Sequence, residues 1–569
     1  MAEVIQICFR TKPERVNADN IERLSERVLP DNVSPDPPLI IEGDRYLIGV
    51  LNPRGVHRRN DSIGLGTILD EEWATPDTQH PSGSYAIFRN DAKNTEFVSD
   101  IVGSRTIWYG STNGLFVAST LQRAVVTFLQ QYTPDPQTQA WMLSSGTLGP
   151  YRSWAKEVEQ LRPNSILRLD RESWSWETDY HPATFETVSR SFDEHYRALV
   201  NTIEDTLSAW PVSTDTDVLT LSGGYDSRIL LHHFSNQYPE IKTLTWGTPQ
   251  SIETDLSDAA VAKRLADSYA VGHQFKPIRT DTVPVNVVID RFITAGEGRI
   301  DHLSGYLDGF ALWDEFHAQG TKQIIRGDEG FGWVPSITRL TAEKYVRRGI
   351  GLTTVSDISE LDKFDIANQQ LPDYLRRNEK EHLGDWRDRL YQEVRIPTTL
   401  AALNTLKSPY VELSNPLLSK EIISCVRQLP SELRDSKGLF TKYVDSITPK
   451  IPYATTSANP DLSTFLTRTD TVKYLKSELE EAIRSTELPP ELIIYISKRI
   501  RVSNSSSTTH LKLDFKRIIK KNTPRVITDI IKRLYDDELF PGYNRLGFRI
   551  IIISKMNKNL TEDSEYLTN

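Results

Sequence analysis

From about residue 190 onward the sequence alternates short apolar runs with helix-length stretches, and that alternation leaves few folds open. A helical stretch over Phe192 to Trp210 leads into the run Asp217-Val-Leu-Thr-Leu221. A helix from about Asp226 to Ser235 follows, then the strand Ile241-Lys-Thr-Leu-Thr-Trp246. Next come a helix from about Asp255 to Ala270 and a short strand near His273 to Ile278. Two more helices precede the strand Lys322-Gln-Ile-Ile-Arg326. Strands separated by helices line up in parallel, with helices over both faces of the sheet. In such sheets ligands sit outside the carboxyl ends of the strands.

Before residue 190 the pattern differs. Tyr46-Leu-Ile-Gly-Val-Leu51, Ser84-Tyr-Ala-Ile-Phe-Arg89, Thr106-Ile-Trp-Tyr109, Leu115-Phe-Val-Ala-Ser119 and Ser165-Ile-Leu-Arg-Leu169 are short and β-branched or aromatic. Gly, Pro, Asn and Asp clusters bound them, as turn chemistry requires. The clearest helix here lies around Leu121 to Tyr132. Beyond about residue 460 the text is mostly helical and increasingly basic. The chain therefore reads as three parts: an α+β, sheet-rich domain over 1–190, an α/β parallel-sheet domain over 191–460, and a helical, basic C-terminal extension over 461–569. The length of 569 residues agrees with a prior of about three to four domains.

With 38% hydrophobic residues the chain has material for several packed cores, which excludes wholesale disorder. Two cysteines, Cys8 and Cys425, exclude a disulfide scaffold or a Cys-rich metal module. The N-terminal residues show no basic region followed by an apolar run, so no secretory signal is expected. The longest aliphatic run, Ile550 to Ile553, is far short of the ~20 residues of a membrane span. A soluble cytoplasmic protein is expected. The net charge of −10 is unevenly spread. Between Lys498 and Arg533 eleven Lys and Arg meet only Asp514 and Asp529, a surplus of nine that leaves the rest at −19. This segment is either a solvated helix face or a surface for an anionic partner.

Directly after the first parallel strand stands Ser222-Gly223-Gly224-Tyr225-Asp226-Ser227-Arg228, opening a helix. Without Cβ atoms the glycines let the backbone turn sharply and approach a ligand closely. The free amides of the helix start, and its dipole, favour an anion there. Ser222 and Ser227 add hydroxyl donors for phosphate oxygens. Asp226 would repel a bare phosphate, so a divalent cation bridging the two is expected. No Lys follows the glycines, so this is not the Walker pattern.

The six-residue Ser-Gly-Gly-x-Asp-Ser string resembles the loop of the ATP pyrophosphatase group, which cleaves ATP between the α- and β-phosphates. Within that group the chain is similar to the asparagine synthetase family. Thr245-Trp246-Gly247-Thr248-Pro249 resembles the family's turn on the adenine side. Arg326-Gly327-Asp328-Glu329-Gly330-Phe331-Gly332 resembles its Asp-Glu-x-Phe-Gly-Gly loop, shortened on the N-terminal side. Glu412-Leu-Ser-Asn-Pro-Leu-Leu418, Gln428-Leu-Pro430, Lys437-Gly438 and Lys442 follow in the family's order. The resemblance implies ATP and Mg²⁺, with Asp226 and Asp328 (or Glu329) on the metal. Ser222, Gly223, Gly224 and Ser227 would hold pyrophosphate, and Leu221, Trp246 and Gly327 would line the nucleotide. Lys442 would stabilise charge on an acyl-adenylate. Glu297, in Gly296-Glu297-Gly298-Arg299, is an acidic candidate for the substrate pocket or a surface turn. The substrates implied are a small-molecule or peptide carboxylate and either ammonia or an amine donor, with aspartate to asparagine the family default. The resemblance also allows a homodimer.

The first domain is similar to the family's N-terminal-nucleophile glutaminase through Ser82-Gly-Ser-Tyr-Ala-Ile-Phe88 and Asp100-Ile-Val-Gly-Ser-Arg-Thr-Ile-Trp-Tyr109. Working glutaminases carry a cysteine immediately after the initiator Met, whose free amine serves as base. Here that position is Ala2, and Cys8 lies inside a strand-like run. β-Lactam synthetases and lasso-peptide cyclases share this loss and use an amine on their own substrate. In place of the family's Lys-rich loop the chain has Ala454-Thr-Thr-Ser-Ala-Asn-Pro460. The competing class is a regulator that binds ATP only to change shape. The pair Asp226 and Asp328 favours an enzyme.

Overall fold

A computed structural model describes residues 2–328, 330–331, 342–503 and 540–567. Two six-stranded antiparallel sheets lie within the first 180 residues. In the first, the strands run in the order Glu159–Gln160, Trp108–Thr112, Leu115–Ser119, Glu3–Phe9, Tyr46–Leu51, Leu39–Glu42. In the second, the order is Ser175–Tyr180, Ser165–Asp170, Asn94–Ser99, Gly83–Asn90, Ser62–Ile68, His57–Arg59. The period of two in each strand decides what it packs against. Along Glu3–Phe9, Val4 and Cys8 join Ile48, Ile63, Ala86 and Phe97 between the sheets. Ile5, Ile7 and Phe9 point the other way, against the helices Ala18–Val28 and Gln122–Leu129. The strand expected from Thr106 begins at Trp108. Asp100 accepts the amides of Val102 and Ser104, and that turn delays entry into the sheet.

The third sheet is parallel throughout and has five strands, in the order His273–Pro277, Lys242–Gly247, Asp217–Thr220, Gln323–Ile325, Glu412–Ser414. Counted along the chain this is 3-2-1-4-5. The strand order therefore reverses between Asp217–Thr220 and Gln323–Ile325, which opens a crevice beyond their carboxyl ends.

After residue 460 come the helices Leu462–Leu466, Thr469–Ser485, Pro490–Ser497 and Tyr543–Glu565. Of the basic stretch only Lys498 to Ser503 is described, and its remainder to Arg533 lies outside the described residues. The last helix is buried around most of its circumference. Leu546, Phe548, Ile550 to Ile553, Met556 and Leu560 join the core that backs the first sheet. Several of its charged residues are paired inside. Asp563, fully buried, takes Arg123 at 2.7 Å and Arg27 at 2.6 Å. Asp301, also fully buried, takes Arg545 at 2.8 Å and Arg549 at 2.6 Å, and these guanidiniums hold its carboxyl well below the usual range. Among the described residues no helix is long and apolar enough to cross a membrane.

Burial pushes His80, His233 and His273 each down to about 4. Unfolded imidazole titrates near 6.5, so between these values the unfolded chain binds more protons. The stability carried by the neutral rings is complete above about pH 6.5 and is lost as pH falls toward about 4. Two pH units on each of three rings amount to at most about 8 kcal/mol between pH 6.5 and 4.5, partly offset by the raised Glu297 carboxyl, which takes up its proton in the folded state over the same range. A lower denaturation midpoint in urea is expected at about pH 4.5 than at about pH 7.

Candidate functional site

The crevice is built from the end of the strand Asp217–Thr220. Leu221, buried, donates its amide to Leu244 O (2.8 Å) and accepts Thr245 Oγ1 at its own carbonyl (2.7 Å). The chain then turns through Ser222 and Gly223 into the helix Tyr225–Gln237, with Gly224 as N-cap. Only glycine fits at 223, because a Cβ there would lie 2.1 Å from the Ala454 Cβ. The loop closes on its own hydroxyls. Ser222 Oγ and Ser227 Oγ stand 3.0 Å apart, the Ser222 amide donates to Ser227 Oγ (3.1 Å), and the Gly224 amide donates to Ser222 Oγ (3.3 Å). The Gly223 amide donates to Asp258 Oδ1 at 3.0 Å. Each of these amides thus has its own acceptor, two of them the loop's serine hydroxyls and the third the Asp258 carboxylate.

Asp226 lies in the first turn of that helix, where the dipole favours a carboxylate. Lys437 Nζ donates to both of its oxygens at 2.9 Å. Burial pushes the Asp226 carboxyl up, Lys437 opposes this, and the nearby Asp328 charge adds to the rise. Gly327 makes the approach of the two loops feasible: a Cβ at 327 would stand 2.8 Å from Asp226 Cβ. Asp328 pairs with Arg326 at 3.2 Å. The Asn415 amide, turned so that both its ends are satisfied, donates to the other Asp328 oxygen at 3.2 Å. Glu329, the alternative metal ligand, lies outside the described residues. Trp246, at the end of the neighbouring strand, meets Trp313 edge-on with centroids 5.3 Å apart. Among the described residues no three His, Cys, Asp or Glu converge as a metal cage.

Two expected residues stand elsewhere. Lys442 is exposed and sits 4.2 Å over the Phe192 ring. Its helix, Gly438–Ile447, buries Leu439, Phe440, Tyr443 and Val444, and this spacing turns position 442 outward. The lysine at the site is Lys437, which precedes the helix with φ of 57° and reaches back to Asp226. The sequence places Lys437 in the family's order but assigns it no role, because nothing local reveals that backbone turn. Glu297 is absent from the crevice. Fully buried, its carboxylate accepts the amides of Gln122 (3.1 Å) and Arg123 (2.9 Å), capping a helix whose own N-cap, Leu121, has no oxygen to offer. Burial pushes its carboxyl up to about 7.

At the other end of the chain Ala2 and Cys8 are both buried. Burial pushes the Cys8 thiol up to about 11, and its Sγ contacts Thr95 Oγ1 at 3.6 Å. A thiol so protonated and enclosed is no nucleophile.

No protein-family model matches the chain, and no curated protein matches it. Among solved structures, 26 chains match. One is a glutamine phosphoribosylpyrophosphate amidotransferase from B. subtilis complexed with ADP and GMP, with TM-score 0.19 and 11% identity, covering 48% of this chain and 65% of that one. Another is described as the allosteric regulatory enzyme of purine biosynthesis, with TM-score 0.20 and 12% identity, covering 50% of this chain and 67% of that one. The chain thus spans about two thirds of the length of these structures.

Proposed function

We propose that this chain is an ATP-dependent amide-forming ligase of the asparagine synthetase type. The reaction activates a carboxylate as acyl-adenylate with release of pyrophosphate, and an amine then displaces AMP. The observation that carries this reading is the meeting of the Ser222–Ser227 loop with Asp226, Asp328 and Lys437 at the point where the strand order reverses. A nucleotide that is merely held needs no such pair of carboxylates. A pair beside a phosphate loop suits Mg²⁺, which takes one or two carboxylates plus phosphate oxygens rather than a protein cage. Burial and, after it, the Asp328 charge raise the Asp226 carboxyl, and a bound cation would relieve both.

In this reading Asp226 and Asp328 would hold Mg²⁺, which would supply charge neutralisation on the phosphates. Ser222, Gly223, Gly224 and Ser227 would hold the departing pyrophosphate once their amides and hydroxyls exchange the contacts they now make within the loop and to Asp258. Lys437, positioned by Asp226, donates to the oxygens that gain charge as the α-phosphate is attacked. Leu221, Gly327 and Trp246 line the nucleotide. Exchange of labelled pyrophosphate into ATP across a panel of carboxylic acids tests the reading. Acid-dependent exchange is expected, and release of ADP and phosphate instead would overturn it.

The first domain bears on the amine. Ala2 is buried and the Cys8 thiol is enclosed and protonated, so neither offers glutamine a nucleophile. Purified protein is expected to release no glutamate from glutamine above background, while ammonia or an amine on the acceptor supports turnover. An enzyme-like glutaminase rate would contradict this. The enclosed Cys8 thiol leaves, as a second reading, a synthetase or cyclase using an amine on its own substrate.

A further inference from the structure

We infer that Asp258 is an internal competitor for the phosphate loop, its carboxylate occupying the Gly223 amide that a bound polyphosphate would take. The segment 451–458 holds it there. The inference rests on reading Ser222–Ser227 as a phosphate loop, and it adds a control on that loop. Asp258 opens the helix Asp258–Ser268. The N-cap of that helix is Ser257, whose hydroxyl accepts the Ala260 amide at 3.0 Å. The cap is thus made without Asp258. Its carboxylate reaches across instead to the Gly223 amide at 3.0 Å, and among the described residues it forms no ion pair.

The segment 451–458 fixes Asp258 from its backbone. Arg228, 1% exposed, donates to Ile451 O at 2.7 Å and to Pro452 O at 2.8 Å. Tyr453 meets both that guanidinium, 3.8 Å from its ring centroid, and the Tyr225 ring, stacked at 4.0 Å. The Ala454 amide donates to Gly223 O at 3.3 Å, and the Thr455 amide to Leu256 O at 2.9 Å. Thr456 O accepts the amide of Asp258 itself at 3.0 Å. Ala458 O accepts the Thr248 amide at 2.8 Å, on the turn that follows Lys242–Gly247. The segment therefore bonds to the phosphate loop, to the turn beside it, and to the residue whose carboxylate enters the loop.

A backbone amide has one proton to donate, so two well-aligned acceptors exclude each other. A phosphate oxygen gains the Gly223 amide only when Asp258 leaves it. While the carboxylate stays close, like charge adds to the penalty. The loop is then competent only in the fraction of molecules where Asp258 has swung away, and apparent affinity falls by that fraction. Because the lost contact is a hydrogen bond to a charged group, the fraction is small. Every phosphate ligand loses the same factor. Inorganic phosphate and pyrophosphate, held by the loop alone, have the least affinity in reserve, whereas a nucleotide also has a base and a sugar to bind.

Isothermal titration of the full-length protein with inorganic pyrophosphate and with ATP, in buffer containing Mg²⁺, reads the effect. Asp258→Ala should tighten both ligands by about 10- to 100-fold, the worth of a charge-assisted hydrogen bond. Asp258→Asn keeps an oxygen for the amide and drops the charge, so it should fall between wild type and alanine. Tyr453→Ala loosens the segment while leaving Asp258 in place. It should tighten both ligands by a smaller factor, which keeps the test independent of one variant's folding, and circular dichroism confirms that all three fold. Unchanged affinity in both Asp258 variants would overturn the competitor. Weaker binding by Asp258→Ala would overturn it too, by making the carboxylate part of the binding site. Tightening in the Asp258 variants but not in Tyr453→Ala would keep the competitor and overturn the role of the segment. Protein that binds neither ligand, wild type and variants alike, would remove the phosphate loop and its competitor together. Tighter pyrophosphate in Asp258→Ala without any acid-dependent exchange would leave the competitor standing and remove the ligase.

Discussion

Removing residues 543–569 is expected to leave no folded protein. The helix Tyr543–Glu565 buries Leu546, Phe548, Ile550 to Ile553, Met556 and Leu560. Each such side chain contributes about 1.5–3 kcal/mol on burial, so their loss exceeds the roughly 5–15 kcal/mol by which a domain is stable. Deletion also strips Asp301 of Arg545 and Arg549, and Arg123 of Asp563, leaving buried charges unpaired at a further cost of about 3–5 kcal/mol for a broken pair. The longer deletion of 498–569 should behave the same way, with solubility and any ATP cleavage lost together. Circular dichroism and thermal melting check this. A truncated chain that melts cooperatively near the full-length temperature would show that the helix is an appendage after all. Arg549→Ala offers a milder version, expected to lower stability by about 3–5 kcal/mol by unpairing Asp301.

Asp226→Asn is expected to abolish acid-dependent pyrophosphate exchange, by about 10²–10³-fold or more. The substitution keeps size and helix position while removing the charge that Lys437 clasps with 2.9 Å contacts to both oxygens. Lys437→Met should lose activity comparably, since it disturbs the same pair. Lys442→Ala is the informative control. That lysine lies over Phe192 on the outside of its helix, and its removal should change exchange by no more than about twofold. Equal loss from Lys437→Met and Lys442→Ala would refute the assignment of the site lysine. Full turnover in Asp226→Asn would sink the mechanism itself.

The strands and helices between Phe192 and Ile325 lie close to where their hydrophobic patterns put them, because period and turn chemistry are local properties. The order 3-2-1-4-5 is not local. It depends on which strand Gln323–Ile325 joins after a long excursion, and no pattern within those three residues records it. The Ser222–Ser227 loop was legible because glycine and hydroxyl positions are set by backbone geometry within six residues. The lysine was not, since choosing Lys437 over Lys442 requires the left-handed φ at 437 and the buried face of the following helix. Glu297 shows the same limit at longer range: the helix it caps lies more than 170 residues earlier in the chain.

The pairing of Arg123 with Asp563 joins residues 440 apart in the chain. At a synthesis rate of about 5–20 residues per second, a ribosome needs roughly 20–90 s to travel between them. Throughout that interval the helix Gln122–Leu129 carries a face that the final helix has yet to cover, and Arg123 waits without its acid. Such nascent surface is what holdase chaperones capture and what aggregates when they are scarce. Heterologous yield should therefore respond to chaperone supply and slow growth temperature more than to any change at the crevice, and a stalled or prematurely terminated message would deliver a product with no route to the native state.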